Sequence, residues 1–187
     1  MVKKKTCIFI SGQGSNLRNL IYRSRDKNFP IKINLVISNK KNAKGINYAK
    51  KFKIPYLYVN TRLNNYENKI LFNLRKYKIS FICLAGYMKI ISNKIISRFE
   101  KKIINIHPSL LPKFKGLNTF ERILKNKEIK TGCTVHFVNK KLDDGKIIVK
   151  KHFFLNSNDN ENSLKQKTHE LEYKAYPEAI IKIFRYR

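Results

Sequence analysis

Short apolar runs alternate with polar segments of helical length, and this alternation restricts the possible folds more than any other feature of the sequence. Runs typical of buried strands lie at residues 7–10, 31–38, 54–59, 80–84 and 103–107. Segments with the length and partial periodicity of amphipathic helices lie between them, at residues 17–25, 42–52, 64–76 and 93–99. This βαβα order predicts an α/β fold with a twisted, mostly parallel sheet and helices on both faces.

The pattern changes after Gly116. Residues 131–138 and 146–154 are predicted strands joined by a turn-rich connection at 139–145. Residues 161–184 predict a closing helix that is interrupted near Pro177. Because no linker rich in Pro, Gly or Ser divides the 187 residues, we expect a single domain over residues 1–187.

Polar side chains follow the apolar run at 103–104. Asn105 and His107 are two residues apart, so on an extended strand both side chains point to the same face. An amide that donates to an oxyanion and an imidazole that handles a proton suit a reaction with a tetrahedral intermediate. Pro108 is expected to end the strand. The alternative is a strand end whose polar residues only satisfy backbone groups.

A glycine loop, residues 11–17 (SGQGSNL), separates the first predicted strand from the first predicted helix. Ser15 or Asn16 is expected to cap this helix, and its N-terminal N–H groups would attract an anion such as phosphate. The loop lacks the lysine of a nucleotide-binding P-loop and the third glycine of a dinucleotide-binding loop. An ordinary glycine turn remains the alternative.

Asp143 and His136 are further candidates. Asp143 lies next to Asp144 in the predicted 139–145 turn, where the two carboxylates either only shape the turn or one of them orients the His107 imidazole. His136 alternates with apolar neighbours and either faces a cleft or is an ordinary strand histidine. The spacing of His, Cys, Asp and Glu predicts no metal site. Because loops 11–16, 85–92 and 105–116 follow predicted strands, we expect them to line one crevice.

The formal net charge of +29 is typical of proteins with anionic partners. The lysines are spread along the chain, however, and no aromatic and basic module of an RNA-binding sheet is present, which favours a solvated basic surface over a nucleic-acid partner. The three cysteines lie in apolar segments and are predicted to be reduced. The apolar N-terminal run is too short for a signal peptide or a membrane span, so a cytoplasmic protein is expected.

Five segments together resemble the phosphoribosylglycinamide formyltransferase family: 11–17, 84–90 (LAGYMKI), 105–112 (NIHPSLLP), 132–138 (GCTVHFV) and 142–143. They occur in the order of that family and extend over almost the whole chain. The resemblance implies a Rossmann-like formyltransferase fold and formyl transfer from 10-formyltetrahydrofolate, as cosubstrate, to the amine of glycinamide ribonucleotide in de novo purine synthesis. It implies no metal.

The resemblance also assigns roles to residues. Those it implies as catalytic are Asn105, His107 and Asp143. Those it implies as ligand-binding are Gly14, Ser15 and Asn16 for the substrate phosphate, Glu172 for the ribonucleotide, and Met88, Lys89, Ile90 and Asp143 for folate. The family often has an arginine where this chain has Leu63, and Arg62 is a candidate substitute. Asn118 and Phe120 stand where some relatives have histidine.

Three other functions are compatible with part of the sequence. A formyltetrahydrofolate hydrolase has the same catalytic core but usually a second histidine where this chain has Pro108. Methionyl-tRNA formyltransferase needs a further domain, which 187 residues do not accommodate. A basic nucleic-acid-binding domain would explain the charge but not the five segments. For a formyltransferase we expect small-molecule substrates and a monomer or a homodimer.

Overall fold

The structure, a computed structural model, describes residues 2–185. These residues form seven strands and six α-helices. The strands are β1 (Lys4–Ile10), β2 (Ile31–Ser38), β3 (Tyr56–Tyr58), β4 (Phe81–Leu84), β5 (Ile103–His107), β6 (Lys130–Phe137) and β7 (Ile147–Phe154). The helices are α1 (Ser15–Ser24), α2 (Ile46–Lys51), α3 (Tyr66–Lys76), α4 (Asn93–Arg98), α5 (Thr119–Lys125) and α6 (Glu161–Arg185). The chain divides into two compact units, the first ending at Ile104 and the second beginning at Asn105.

In the first unit, β1 lies between two parallel neighbours. It pairs with β2 on one side and with β4 on the other, and β3 pairs in parallel with β2. Five consecutive residues of β1, from Thr6 to Ile10, are buried. The sheet is therefore covered on both faces along these five residues of β1. This explains why residues 7–10 are continuously apolar and do not alternate with polar residues.

In the second unit, β6 and β7 form an antiparallel pair. The long helix α6 packs on both of these strands and contacts α5. The turn-rich connection predicted at 139–145 joins β6 to β7, and Gly145 is required there because a Cβ atom would lie 1.7 Å from the Phe137 carbonyl oxygen.

The strand order in the sheet is β3-β2-β1-β4-β5-β6-β7. After β3 the chain returns to the other side of β1 and forms β4 there. This reversal of strand order is typical of a Rossmann-like α/β sheet. This confirms the predicted fold class. The predicted bounds of β2 and β5 agree with the structure, whereas β3 is shorter than expected.

Two local predictions were wrong, and one helix, α5, was not predicted. Helix α6 runs through Pro177 without interruption, because Pro177 is buried together with Tyr176 and Ala179 and packing outweighs the missing backbone hydrogen bond. The N-cap residue of α1 is Gly14, in the left-handed conformation, and not Ser15 or Asn16, which lie within the helix.

The three cysteines, Cys7, Cys83 and Cys133, are buried and free, as predicted. Burial raises the pKa of the Cys133 thiol to about 12. Burial also raises the pKa of the Cys7 thiol, so both of these thiols are protonated and are poor nucleophiles.

Candidate active site

Strand β5 contains Asn105 and His107, which are among the first residues of the second unit. Both side chains reach the same carboxylate: the Asn105 amide donates to Asp143 Oδ1 at 3.3 Å, and His107 Nδ1 lies 3.3 Å from Asp143 Oδ2. The two-residue spacing on an extended strand accounts for this shared direction. The strand ends at His107 because Pro108 follows it.

Asp143 is the centre of this group of side chains. It lies in the 139–145 loop with a φ of 46°, a left-handed conformation that Asp adopts more readily than most residues. The side chain of Asp143 is 8% exposed. Its Oδ2 accepts a hydrogen bond from the Gly116 backbone N–H at 2.9 Å. The carboxylate is therefore held by the amide of Asn105 and by a backbone donor, with an imidazole beside it.

The His107 ring is held in one tautomer. Its Nε2–H donates to the carbonyl oxygen of Phe114 at 2.8 Å, and a carbonyl oxygen can only accept. When the ring is neutral, Nδ1 therefore carries no proton and directs its lone pair towards Asp143. Protonation of Nδ1 would turn that contact into a charge-assisted hydrogen bond. The proton-accepting atom of His107 is thus Nδ1.

The two pKa shifts agree with this description. Burial lowers the pKa of His107, although the Asp143 carboxylate and the Phe114 carbonyl favour the protonated ring. Burial alone would raise the pKa of Asp143, but the His136 imidazole when protonated, the Gly116 N–H and the His107 ring when protonated stabilise the carboxylate more, and the net pKa is lowered. Near neutral pH the pair therefore consists of a neutral imidazole and an ionised carboxylate. The imidazole can act as a base, and the carboxylate stabilises the protonated form of the imidazole.

His136 on β6 also faces this group. Its side chain is 2% exposed, and its Nδ1–H donates to the Phe137 carbonyl oxygen at 2.8 Å. Nε2 is then an acceptor, and it receives a hydrogen bond of 3.3 Å from the Asn105 amide. His136 is thus a buried strand histidine with hydrogen-bond partners at both ring nitrogens, and its ring lies beside Asn105 and Asp143.

In the first unit, Gly14 allows the loop before α1 to turn sharply. Its φ is 75°, and a Cβ atom there would lie 2.5 Å from the Cα atom of Gly45. The Gly45 N–H donates to the Gly12 carbonyl oxygen at 3.0 Å, so the two glycine segments are in direct contact. Ser15 and Asn16 begin the 10-residue helix α1, whose N-terminal N–H groups favour an anion.

Two of the three predicted loops meet in the first unit. The Ser11 N–H donates to the Gly86 carbonyl oxygen at 3.1 Å, and the Met88 N–H donates to Ser11 Oγ at 2.7 Å. The side chains of Met88 and Ile90 are 64% and 72% exposed. The third loop, residues 105–116, belongs to the second unit, and a common crevice remains a prediction.

The remaining predicted residues differ in burial. Glu172 on α6 is buried, and its charge contributes to the raised pKa of the Cys133 thiol. Arg62 and Lys89 are exposed. In the described residues 2–185 we find no cluster of three or more His, Cys, Asp or Glu side chains arranged to hold a metal ion. Nor does any helix in that range combine the length and the apolar character needed to cross a bilayer.

Sequence reasoning missed the partners that complete this group. The Phe114 carbonyl and the Gly116 N–H are backbone groups, so no side chain in the sequence identifies them as partners. The glycine at 116 is the one sequence signal for this segment, since glycine is favoured where φ is positive, and the structure gives Gly116 a φ of 81°. Ser11 was part of the glycine loop, but its hydrogen bond to Met88, 77 residues away, depends on the fold.

Comparisons with known proteins agree on one family. The sequence profile described as "Formyl transferase" matches residues 4–180. The phosphoribosylglycinamide formyltransferase of Haemophilus influenzae is 40% identical over 185 residues, which cover 97% of this chain and 87% of that protein. The human trifunctional purine biosynthetic protein adenosine-3 is 38% identical over 184 residues, and there the match spans 95% of this chain but only 18% of the human protein.

Solved structures show the same relationship. The crystal structure of phosphoribosylglycinamide formyltransferase from Bacillus halodurans has a TM-score of 0.93 to this chain at 31% identity, and the match covers 96% of this chain and 95% of the other. Agreement of sequence and fold over nearly the full length of separate bacterial proteins excludes a likeness restricted to one motif. The chain therefore belongs to the formyl transferase family and, within it, to the phosphoribosylglycinamide formyltransferases.

Proposed function

We propose that this chain transfers the formyl group of 10-formyltetrahydrofolate to the amine of glycinamide ribonucleotide, a step of de novo purine synthesis. The observation that carries the proposal is the contact of Asn105 and His107 with Asp143, inside the segment that matches the family. The resemblance of the sequence implied these three residues as the catalytic ones, and in the structure Asn105 and His107 each lie 3.3 Å from a carboxylate oxygen of Asp143.

The reaction places three requirements on the protein. The substrate amine attacks the formyl carbon, a tetrahedral carbon with an oxyanion forms, and the bond to the folate nitrogen then breaks. The attacking nitrogen loses a proton and the leaving nitrogen gains one. The protein must therefore hold two substrates together, donate hydrogen bonds to the oxyanion and move a proton.

Each catalytic requirement has a candidate among the residues of the second unit. The Asn105 amide is the proposed oxyanion donor. Because its two N–H hydrogens face Asp143 and His136 in the structure, one of them has to turn to the oxyanion when substrate is bound. The protonated His107 ring would add positive charge beside the oxyanion. Nδ1 of His107 is the proposed proton acceptor, because the other ring nitrogen is occupied by the Phe114 carbonyl. Asp143 orients His107 and stabilises the imidazolium. His136 accepts from the Asn105 amide, which supports a role in orienting that amide.

The remaining proposed roles concern ligand binding. Gly14, Ser15 and Asn16 are proposed to bind the substrate phosphate, which the N-terminus of α1 supports. Exposed apolar side chains support Met88 and Ile90 as folate-binding residues, together with Lys89 and Asp143. Glu172 is proposed for the ribonucleotide, with Arg62 as a candidate for ligand binding.

We further propose one formyltransferase domain over residues 1–187, since the family match includes parts of both units. The protein is proposed to act in the cytoplasm, which the three free thiols support because reducing compartments keep cysteines unpaired. A monomer or a homodimer is proposed. No nucleic-acid partner is proposed.

A formyl-transfer assay tests the proposal. The protein is mixed with glycinamide ribonucleotide and 10-formyltetrahydrofolate labelled at the formyl carbon, and the label is expected on the ribonucleotide only when both substrates are present. Release of labelled formate at the same rate without the ribonucleotide would instead identify a hydrolase. The absence of both products, from folded protein, would contradict a role in formyl transfer.

A further inference from the structure

A short backbone segment completes the contacts of both His107 and Asp143. This segment, residues 113–118, is called the strap. The Phe114 carbonyl accepts the hydrogen bond of His107 Nε2 at 2.8 Å, and the Gly116 N–H donates to Asp143 Oδ2 at 2.9 Å. The tautomer of the imidazole and the position of the carboxylate therefore both depend on where the strap lies.

The strap has a backbone conformation that it does not favour by itself. Phe114, Gly116 and Asn118 have φ angles of 58°, 81° and 53°. A positive φ is uncommon for residues other than glycine and is a genuine outlier for a bulky one such as Phe114. Such a conformation persists only where surrounding contacts hold it in place.

Arg122, on α5, supplies several of these contacts. Its Nη1 donates to the Lys115 carbonyl oxygen at 2.7 Å and, more weakly, to the Leu117 carbonyl oxygen at 3.4 Å. Its guanidinium carbon lies 5.5 Å from the centre of the Phe114 ring, within the range of a cation–π contact. One side chain thus contacts three successive non-glycine positions around Gly116.

The strongest of these contacts falls on the peptide group that faces Asp143. The carbonyl of Lys115 and the N–H of Gly116 belong to the same planar unit and point in opposite directions. When Arg122 donates to the carbonyl, it fixes the plane and so directs the N–H at Asp143 Oδ2. A charged donor on the carbonyl also polarises the peptide and strengthens its N–H as a donor.

We propose that Arg122 is a positioning residue for the candidate catalytic pair, acting through the strap and without touching the reacting atoms. This inference rests on the proposed function for its kinetic consequences, but its structural part does not depend on any activity. The strap has a second tie, the ion pair of Lys115 Nζ with Asp144. Arg122 and Asp144 are both exposed, so Arg122 is distinguished by the number of its contacts with the strap and not by burial.

The first experiment compares Arg122→Met with Lys125→Met, which removes one positive charge from an exposed position of the same helix. We expect Arg122→Met to lower kcat about 10- to 100-fold, the loss typical of catalytic groups displaced by a fraction of an ångström to 1 Å. KM for both substrates and the thermal midpoint should stay close to those of Lys125→Met. Equal kcat in the two variants would overturn the proposal, as would loss of folded structure in Arg122→Met.

A double variant of Arg122 and His107 distinguishes a positioning role of Arg122 from a general structural effect. In a His107→Gln background, Arg122→Met should lower kcat little further, because the imidazole it positions is already absent. Arg122→Lys keeps one charged donor but not the planar fork, so an intermediate kcat is expected. Additive losses in the double variant would contradict action through His107.

An NMR measurement tests the structural part without substrates. In protein with ¹⁵N-labelled histidine, the His107 Nε2 proton should be protected from exchange by its bond to the Phe114 carbonyl. In Arg122→Met its exchange should become at least several-fold faster, while Lys125→Met leaves it unchanged. Unchanged exchange in Arg122→Met overturns the proposal. If exchange accelerates in a protein that shows no formyl transfer, the positioning role stands and the proposed function fails.

Discussion

Ser11 Oγ accepts a hydrogen bond of 2.7 Å from the Met88 N–H and donates one of 2.6 Å to Asn39 Oδ1. One hydroxyl thus fixes the start of the segment proposed to bind folate. We predict that Ser11→Ala raises KM for 10-formyltetrahydrofolate about 2- to 10-fold, which corresponds to one net hydrogen bond of about 0.5–1.5 kcal/mol. KM for the ribonucleotide should change little.

Steady-state kinetics with each substrate varied in turn provide the measurement. Ser80→Ala is the matched control, because Ser80 is exposed and its hydroxyl makes only a bond of 3.3 Å to the Lys5 carbonyl oxygen. An equal rise of both KM values in Ser11→Ala would indicate that the hydroxyl supports the loop in general and not the Met88 segment.

Asp143 and Asp144 are adjacent carboxylates with different surroundings. Asp143 is buried against His107, whereas Asp144 is exposed and pairs with Lys115. We predict that Asp143→Asn lowers kcat about 10²–10⁴-fold, the usual loss for a positioned acid–base partner. Asp144→Asn should retain most of the activity. Single-turnover rates measure both, and the reverse order of losses would show that the carboxylate has been assigned to the wrong residue.

The ionisation of His107 is predicted to depend on Asp143. Burial lowers the pKa of His107 below its ordinary 6.5. Asp143→Asn should lower it further, because the carboxylate is the largest of the groups that favour the protonated ring, the Phe114 carbonyl being the other. His136 and Arg122 oppose protonation and are unchanged in this variant. NMR titration of the four histidines gives the values, and a rise in the variant would contradict the prediction.

The same lowered pKa has a consequence for stability. Between its folded-state pKa and 6.5, the unfolded chain binds more protons at His107 than the folded chain does. The contribution of His107 to the free energy of unfolding is therefore present above pH 6.5 and is lost as the pH falls through the folded-state pKa. In His107→Gln the free energy of unfolding should depend less on pH in this window than it does in the unmodified protein. Chemical denaturation at a series of pH values measures this dependence.

Gly14 and Gly12 differ in what an added methyl group would meet. At Gly14 a Cβ atom would lie 2.5 Å from the Gly45 Cα atom, and φ is positive, whereas nothing lies within 4 Å of a Cβ at Gly12. We predict that Gly14→Ala lowers the free energy of unfolding by about 1–3 kcal/mol and raises KM for the ribonucleotide. The free energy of unfolding of Gly12→Ala should stay within about 0.5 kcal/mol of that of the unmodified protein. Urea denaturation tests this, and equal stabilities would contradict the close packing of the two glycine segments.

The sequence predicted those parts of the fold that depend on local composition. Strand β5 was correctly predicted because an apolar run ends at a proline, Pro108. The common direction of Asn105 and His107 follows from the two-residue period of any strand. The carboxylate at Asp143 was proposed from its place in a turn and from the resemblance to the family.

The strap was beyond sequence reasoning for a physical reason. Every residue except proline has both a backbone N–H and a backbone carbonyl, so composition does not mark the ones that Asp143 and His107 select. The partner of Gly116 is 27 residues away, and that of Phe114 is 7 residues away. Helix α5 was not predicted, although it is one residue longer than α2 and α4, which lie within predicted helices. Helix α6 continues through Pro177 because tertiary packing offsets the local cost.

The hydrogen bonds and ion contacts described for Asn105, His107, His136 and Asp143 all join residues of the second unit. One continuous segment of the chain therefore contains the proposed proton-handling groups together with the strap and Arg122. The loops at 14–16 and 88–90, which are proposed to bind ligands, come before this segment in the sequence. If both proposals hold, substitutions in those loops would change ligand preference without altering the acid–base groups, so selection could act on the two properties separately.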